Sequence, residues 1–170
     1  ALYWLARMLA GGEDPRYLAR RILRMAVEDI GLGDPQAQSV CLHAWETYER
    51  LGSPEGELAL AQAVVYLALA PRSNAVYTAF SAAKALARET GSAPPPKHIL
   101  NAPTKLMKSE GYGAGYAYDH DAEDGFSGQN YFPPGVKRPV LYQPVERGYE
   151  RELKKRLDYF AKLRERRGEG

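Results

Sequence analysis

The residues best suited to bind a metal ion are Asp119-His120-Asp121, which Glu123 and Asp124 closely follow. Carboxylates and an imidazole can ligate a divalent ion, and such a site would support metal-dependent hydrolysis. The spacing of this cluster matches no metal-binding loop. A solvated acidic turn is therefore the favoured interpretation, with a hydrolase as the alternative.

Other patterns for catalysis are weak. Gly111-Tyr112-Gly113-Ala114-Gly115 is the nearest approach to a phosphate-binding loop, but no predicted strand precedes it, which favours glycines that turn the chain. His43 and His98 stand alone in the sequence and are interpreted as structural. Nucleotide-binding loops, nucleophile elbows and H-E-x-x-H motifs are absent from the sequence. We therefore predict no catalytic residue and neither a cofactor nor a metal site in this chain.

Basic residues are concentrated near the end of the sequence. Residues 136–170 carry 11 Lys or Arg and 6 Asp or Glu, a net charge of +5, whereas the preceding residues sum to −3. Such a tail favours a polyanion, and neighbouring tyrosines could stack on unpaired bases. The alternative is a helix kept soluble by the i,i+4 pairs Glu150-Lys154, Glu152-Arg156 and Asp158-Lys162. The candidate DNA contacts are Arg16, Arg20, Arg24, Lys105, Lys108, Arg164, Arg166 and Arg167.

Composition indicates a globular chain that needs no cross-link. It has 170 residues, 45% of them hydrophobic, and its single cysteine, Cys41, is typical of a core residue in a reducing compartment. The longest apolar run, residues 58–70, falls short of the roughly 20 residues that span a bilayer. We therefore expect a cytoplasmic protein without a membrane segment. The first residues resemble no signal peptide, and the missing initiator Met suggests a piece of a larger protein.

Residues 1–91 predict five helices. The first ends at Gly11-Gly12, and three more begin at Asp14-Pro15, Asp34-Pro35 and Ser53-Pro54, where an N-capping side chain precedes proline at the first helical position. The fifth covers about 73–90. In the helix predicted at 15–30, one face is apolar; it consists of Leu18, Ile22, Met25, Ala26 and Ile30. The helix at 58–69 is apolar on nearly all sides and is predicted to be the central, most buried one.

The composition changes after residue 90. A Pro-rich linker, a short helix after Pro103 and an irregular Tyr/Gly/Pro-rich arm at 111–144 lead to an amphipathic C-terminal helix at 144–167. The arm carries many aromatic rings, which predicts that it packs on the helices and that its rings become buried in this way. The fold class is all-α: a helical core at 1–91, with 92–170 packed on it as one compact unit.

Long stretches of the sequence resemble a known family. The clearest runs are residues 52–64, GSPEGELALAQAV, and 70–77, APRSNAVY. Shorter runs with the same likeness are 26–34 (AVEDIGLGD), 101–108 (NAPTKLMK), 111–113 (GYG), 118–121 (YDHD) and 144–150 (PVERGYE). On these runs the chain resembles the C-terminal region of the replication-associated recombination protein A family, bacterial AAA+ ATPases that are similar to the Werner-helicase-interacting ATPase.

The resemblance implies both a fold and a role. In that family ATP and Mg²⁺ bind an N-terminal AAA+ module, none of whose motifs occurs here, so this chain is expected not to hydrolyse ATP. The C-terminal region is similar to the helical collar of clamp loaders and assembles a homotetramer. The family acts at stalled replication forks in the nucleoid, on single-stranded DNA near its single-strand-binding protein. We therefore predict an oligomerisation region, with a nucleic-acid-binding module that uses the basic C-terminal helix as the alternative.

Overall fold

The computed structural model describes residues 1–168, which form seven α-helices and no β-strand. The prediction of an all-α fold is confirmed. The helices are α1 (Leu2–Ala10), α2 (Pro15–Met25), α3 (Gln36–Leu51), α4 (Glu57–Leu69), α5 (Ala75–Thr90), α6 (Lys105–Ser109) and α7 (Glu150–Arg166). None of these described helices combines the length and apolar character that a membrane span requires.

The chain forms two compact units. The first comprises residues 1–81 and 142–154, and the second comprises residues 82–141 and 155–168. Helices α5 and α7 each contribute residues to both units. The boundary at residue 91 that composition indicates stays a prediction.

The core of the first unit lies among its first four helices. Helix α3 packs against α2 and α4, and α4 also contacts α1 and α2. Small side chains such as Ala37 and Ala63, both fully buried, allow these helices to approach closely. The other buried residues of this core are Leu5, Leu18, Ala19, Ile22, Ala26, Ile30, Cys41, Ala44, Tyr48, Leu60 and Leu67.

Two of the three predicted helix starts are confirmed to within one residue: α2 begins at Pro15 as predicted, and α3 begins at Gln36, one residue later than predicted. The Asp14 carboxylate accepts a 2.9 Å hydrogen bond from the backbone N–H of Arg16, and Asp34 Oδ1 accepts one of 3.0 Å from Gln36. The prediction that Ser53-Pro54 opens a helix is wrong, since α4 begins at Glu57. The preceding turn packs so closely on α3 that a Cβ at Gly56 would lie 2.7 Å from the Cα of Tyr48. That contact determines the path of the chain here, and the local sequence does not reveal it.

The predicted helix at 15–30 is only partly regular. Helix α2 ends at Met25, and a π-helical turn over Ala26–Ile30 continues the chain. Four of the five predicted apolar residues on this face are buried, but Met25 is 44% exposed. The π turn changes the direction of the face, because it adds a residue to each hydrogen-bonded ring.

Helix α4 differs from its predicted burial. Only Leu60, Ala63 and Leu67 are buried, whereas Leu58 is 67% and Leu69 is 82% exposed. The neighbouring helices of the first unit cover only one side of α4. Because α4 is apolar on nearly all sides, its other side is an apolar face exposed to solvent. The prediction that α4 is the most buried helix is therefore wrong.

A close backbone approach holds the start of the C-terminal helix within the first unit. The backbone N–H of Tyr149 donates a 2.9 Å hydrogen bond to the carbonyl of Gly33. At φ +53, Gly148 has left-handed backbone geometry, and a Cβ there would collide with the same carbonyl oxygen. Glycine is therefore required at position 148.

The second unit contains the predicted short helix and the irregular arm as far as residue 141. Thr104 Oγ1 caps α6 by accepting a 3.2 Å hydrogen bond from Met107 N–H. The arm is held by side chains: Gln129 donates to the Gly115 carbonyl at 2.6 Å and accepts from Ala117 N–H at 3.0 Å. Burial of the arm's aromatic rings is wrong for three residues that are about half exposed: Tyr116, Tyr118 and Tyr131.

Helix α7 starts later than predicted, at Glu150. Glu150 was expected to form a surface ion pair with Lys154, but its side chain is fully buried. Its carboxylate accepts hydrogen bonds from the Tyr142 hydroxyl and the Val145 N–H. The pairing pattern of the sequence therefore missed a buried acceptor, because i,i+4 spacing gives no information on burial.

Candidate functional site

The uncovered face of α4 forms one wall of an open apolar groove. We call it the α4 groove; its volume is about 600 Å³. Because Leu58 and Leu69 project there with most of their surface exposed, the groove presents aliphatic area to solvent. The residues that line it are Leu2, Asp34, Leu58, Ala61, Gln62, Val65, Tyr66, Leu69, Ala70 and Pro71.

A polar pair fixes one edge of this groove. The Tyr66 hydroxyl donates a 2.6 Å hydrogen bond to Asp34 Oδ2, while Oδ1 of the same carboxylate caps α3. The hydrogen bond, with burial second, raises the pKa of Tyr66. Both carboxylate oxygens of Asp34 are occupied, so this pair acts as a structural brace between α3 and α4.

A second apolar surface lies beside α1 and α2. We call it the α1–α2 groove; its volume is about 400 Å³. Trp4, Met8, Tyr17 and Met25 lie there and are all more than 40% exposed. Val64, Leu67 and Ala68 of α4 complete its floor, so the two grooves share this helix.

These two grooves were not identified from the sequence. Their residues follow the same helical periodicity as core residues, and only the packing distinguishes a face that neighbours cover from one that they leave open. Contiguous exposed apolar surface of this kind is typical of protein–protein contact. The exposed aromatic and methionine side chains of the α1–α2 groove are residue types enriched at interfaces.

Two of the three candidate DNA contacts of α2 are ion-paired. Arg16 Nε lies 2.8 Å from Glu49, and Arg24 Nε lies 2.7 Å from Glu28. The hydrogen bond to Glu49 raises the pKa of Arg16, and the hydrogen bond from Arg16 lowers the pKa of Glu49, with Trp45 Nε1–H as the next donor. Arg20 is exposed on the same helix.

The remaining candidates lie in the second unit. Lys105 and Lys108 are exposed on α6, and Arg166 is exposed on α7. The Arg167 guanidinium contacts Asp124 at 2.6 Å, and the Arg164 guanidinium lies 4.9 Å from the centre of the Phe126 ring. The eight basic residues thus belong to two separate units, and their contact with DNA stays a prediction.

The acidic cluster forms local contacts. Asp119 Oδ1 accepts a 2.7 Å hydrogen bond from Ser127 N–H, and the hydrogen bonds from Ser127 lower the pKa of Asp119. Asp124 pairs with Arg167. Over residues 1–168, no three His, Cys, Asp or Glu side chains come together as metal ligands would.

The other sequence candidates have structural positions. His43 is exposed on α3. Gly113 turns the chain after α6 and donates from its N–H to the Lys97 carbonyl at 2.8 Å. His98 lies with its ring 6.0 Å from that of Tyr131, and its Nε2 is buried without a hydrogen-bond partner.

Known proteins match nearly the whole chain. The family described as MgsA AAA+ ATPase C terminal matches residues 1–161. Proteins named Replication-associated recombination protein A are 55% identical over 97% of the chain in Coxiella burnetii and 51% identical over 95% in Escherichia coli K12. The ATPase WRNIP1 of Dictyostelium discoideum is 39% identical over 83% of the chain. The chain spans 38%, 36% and 16% of the lengths of these three relatives.

Proposed function

Because the chain belongs to the family of MgsA AAA+ ATPase C-terminal regions, we propose that it holds four copies of a replication-linked ATPase together. The parent protein acts in replication-associated recombination, at stalled forks and on single-stranded DNA beside its binding protein. Its place of action is the cytoplasm, at the nucleoid. This role needs surfaces for self-association and no catalytic group in the chain itself.

The observation that carries the proposal is the pair of apolar grooves on α4. A closed tetramer needs two contact surfaces on each copy, since one self-complementary surface joins only two chains. The α4 groove and the α1–α2 groove supply two such surfaces, and most of the residues that line each are apolar. Leu58 and Leu69, the most exposed leucines of α4, are the residues that gain most from burial in a neighbour.

ATP chemistry belongs, in this proposal, to the part of the parent protein that the chain does not cover. The chain spans little more than a third of the length of its bacterial relatives. We therefore expect ATP and Mg²⁺ to bind the AAA+ module of the parent. The chain by itself is expected not to hydrolyse ATP, and measurable turnover by the purified chain would contradict this assignment.

Sedimentation velocity at micromolar concentration tests the assembly. The chain is expected to sediment as a tetramer, and the double variant Leu58→Glu, Leu69→Glu as a smaller species, because charge then enters the apolar contact. Leu106→Glu is the matched control, since Leu106 is 71% exposed on α6 and lies outside both grooves. A monomeric wild-type chain would overturn the proposal. An unchanged tetramer in the double variant would exclude the α4 groove as the interface.

Binding of single-stranded nucleic acid is the second candidate function. It is favoured by three half-exposed tyrosines, Tyr116, Tyr118 and Tyr131, in the same unit as the basic end of α7. Exposed rings stack on bases, and basic side chains release counterions from the phosphates. Fluorescence anisotropy with a labelled single strand tests it: binding should weaken with salt and with neutralisation of Arg164, Arg166 and Arg167. No change in anisotropy at low salt would exclude it.

A further inference from the structure

Three side-chain nitrogens in the second unit are buried without a hydrogen-bond partner: Arg138 Nη1, Arg164 Nε and His98 Nε2. They are the full set of such atoms for residues 1–168. An unpaired buried polar atom costs free energy, so three in one region call for an explanation. A ligand that supplies the missing acceptors would provide it.

The three residues that carry these nitrogens line two pockets that share Tyr131. Arg138 and Arg164 line the first, of about 290 Å³, together with Ser127. His98 lines the second, of about 520 Å³, together with Tyr116. Tyr131 lies on both linings, so a ligand that extends past its ring can reach all three nitrogens.

We propose that these pockets bind one nucleotide unit of a single-stranded nucleic acid, with the phosphate between Arg138 and Arg164 and the base beside Tyr131. This inference deepens the second candidate function and does not depend on tetramer formation.

Both guanidinium groups are held in place before a ligand arrives. Arg138 Nη2 donates a 2.7 Å hydrogen bond to the Gln129 carbonyl, which leaves Nη1 to bind a ligand. The Arg164 guanidinium lies over the Phe126 ring, and the centre of that ring lies 4.8 Å from the centre of the Phe160 ring. Binding therefore needs little further ordering of these side chains.

The charge of the first pocket matches a phosphodiester. The arginine and aspartate residues of its lining are Arg138, Arg164 and Asp119, which sum to +1 when all three are charged. Burial, and then the positive charge of Arg138, lower the pKa of Arg164, so the two cations are not fully compensated. The Asp119 carboxylate is engaged by Ser127 N–H. A single negative charge between the two arginines balances the pocket.

The donor geometry favours phosphate over carboxylate. A carboxylate usually takes two parallel N–H groups from one guanidinium. Here Arg138 Nη2 is already bonded to Gln129, and the unpaired N–H groups come from two different side chains. A tetrahedral phosphate has oxygens that point in several directions and can accept from both arginines.

The second pocket fits a base. Tyr131 and Tyr116 present aromatic surface there, each about half exposed. His98 Nε2 donates or accepts according to its tautomer, so it can pair with a ring nitrogen or carbonyl on a base edge. Asn101 belongs to the same lining, and an asparagine side chain carries both a donor and an acceptor.

Nuclear magnetic resonance of the whole chain tests the phosphate position. Inorganic phosphate, thymidine 5′-monophosphate and a short oligothymidylate are titrated while the Nε–H resonance of Arg164 is followed. We expect this resonance to move with all three probes and not with acetate. Absence of a shift, or an equal response to acetate, would overturn the phosphate assignment.

Variants test which residues bind. Arg164→Gln is expected to weaken oligothymidylate binding about tenfold through loss of a charge-assisted hydrogen bond. Arg164→Lys should weaken oligothymidylate binding by a similar factor. Lysine keeps the positive charge, but it lacks the Nε–H that donates to the phosphate. Arg156→Gln is the matched control on the same helix, where Arg156 is exposed, lines neither pocket and is not among the candidate DNA contacts. Equal losses for Arg164→Gln and Arg156→Gln would overturn the pocket while leaving general nucleic-acid binding intact.

Tyr116 distinguishes the base from the phosphate, because it lines only the second pocket. Tyr116→Ala should weaken oligothymidylate binding about tenfold and leave inorganic phosphate binding within the error of the titration. An unchanged affinity for the oligothymidylate would contradict the base position. Thymidine 5′-monophosphate that binds as tightly as the oligothymidylate would assign the pockets to a free nucleotide and overturn the proposal for a strand. Circular dichroism and thermal melting of each variant confirm that it is folded.

Discussion

The Tyr142 hydroxyl donates a 2.8 Å hydrogen bond to the buried carboxylate of Glu150. The Val145 N–H donates to the other carboxylate oxygen at 2.7 Å. Burial, followed by the hydrogen bond to Glu150, raises the pKa of Tyr142. Glu150 is the first residue of α7, so this carboxylate ties the helix start to the segment before it.

Glu150→Gln should lower the free energy of unfolding by about 1–2 kcal/mol. Glutamine keeps one acceptor oxygen for the Val145 N–H, but its amide nitrogen can only donate to the Tyr142 hydroxyl, so two charge-assisted hydrogen bonds are replaced by weaker neutral ones. Glu165→Gln is the matched control, because Glu165 is exposed on the same helix and its change should stay within about 0.5 kcal/mol. Urea denaturation measures both. Equal stabilities of the two variants would show that the buried carboxylate contributes little.

Gly148→Ala should be among the most destabilising single changes in the first unit. The alanine Cβ would meet the Gly33 carbonyl oxygen and the Pro71 ring, at a residue whose φ is +53. The backbone strain costs about 1 kcal/mol and the overlap adds about 1–3 kcal/mol.

Gly135→Ala is the control for this change. Gly135 has φ +84, but nothing lies within 4 Å of the position that an alanine Cβ would take there. Its replacement should therefore cost only the strain, about 1 kcal/mol. Thermal unfolding of both variants separates strain from overlap, and similar melting temperatures would show that the Gly33 contact relaxes easily.

The sequence predicted those features of the fold that depend on neighbouring residues. Asp14 and Asp34 mark real helix starts because a cap acts within its own turn. The helix start predicted at Ser53-Pro54 was wrong, because the path of that turn depends on the close approach of Gly56 to Tyr48, a contact between separate segments. The burial of Glu150 likewise depends on Tyr142 and Val145, which no spacing rule connects.

The candidate sites were less predictable than the fold. Leu58 and Leu69 follow the pattern of core residues, and only the positions of the neighbouring helices leave them exposed. Arg138 was not among the predicted contacts, since its importance comes from the proximity of Arg164, a residue far away in sequence. A weak signal was present in the basic tail, which contains both arginines.

Asp34→Ala should cost more than Asp14→Ala, although each aspartate caps a helix. Loss of a cap costs about 1 kcal/mol. Asp34 also accepts the 2.6 Å hydrogen bond of Tyr66, so its removal adds about 1–2 kcal/mol for the unpaired hydroxyl. Tyr66→Phe in the Asp34→Ala background should then cost much less than in the wild type. A double-mutant cycle by urea denaturation measures this, and additive losses would contradict the coupling.

Cys41 gives the first unit a pH dependence at alkaline pH. The residue is 1% exposed in the core, and burial raises the pKa of its thiol from about 9 to about 11. The unfolded chain therefore ionises this thiol at a lower pH than the folded chain does. The stability that the neutral thiol contributes is complete below pH 9 and is lost as pH rises from about 9 to about 11.

Comparison of the wild type with Cys41→Ala isolates this effect from the tyrosines, which also titrate in that range. Urea midpoints are measured at neutral pH and at about pH 10.5, between the two pKa values of the thiol. Cys41→Ala should be less stable at neutral pH because it leaves a small cavity, and the difference should shrink at the higher pH because alanine does not ionise. Parallel losses in the two proteins would show that Cys41 ionises equally in the folded and unfolded chains.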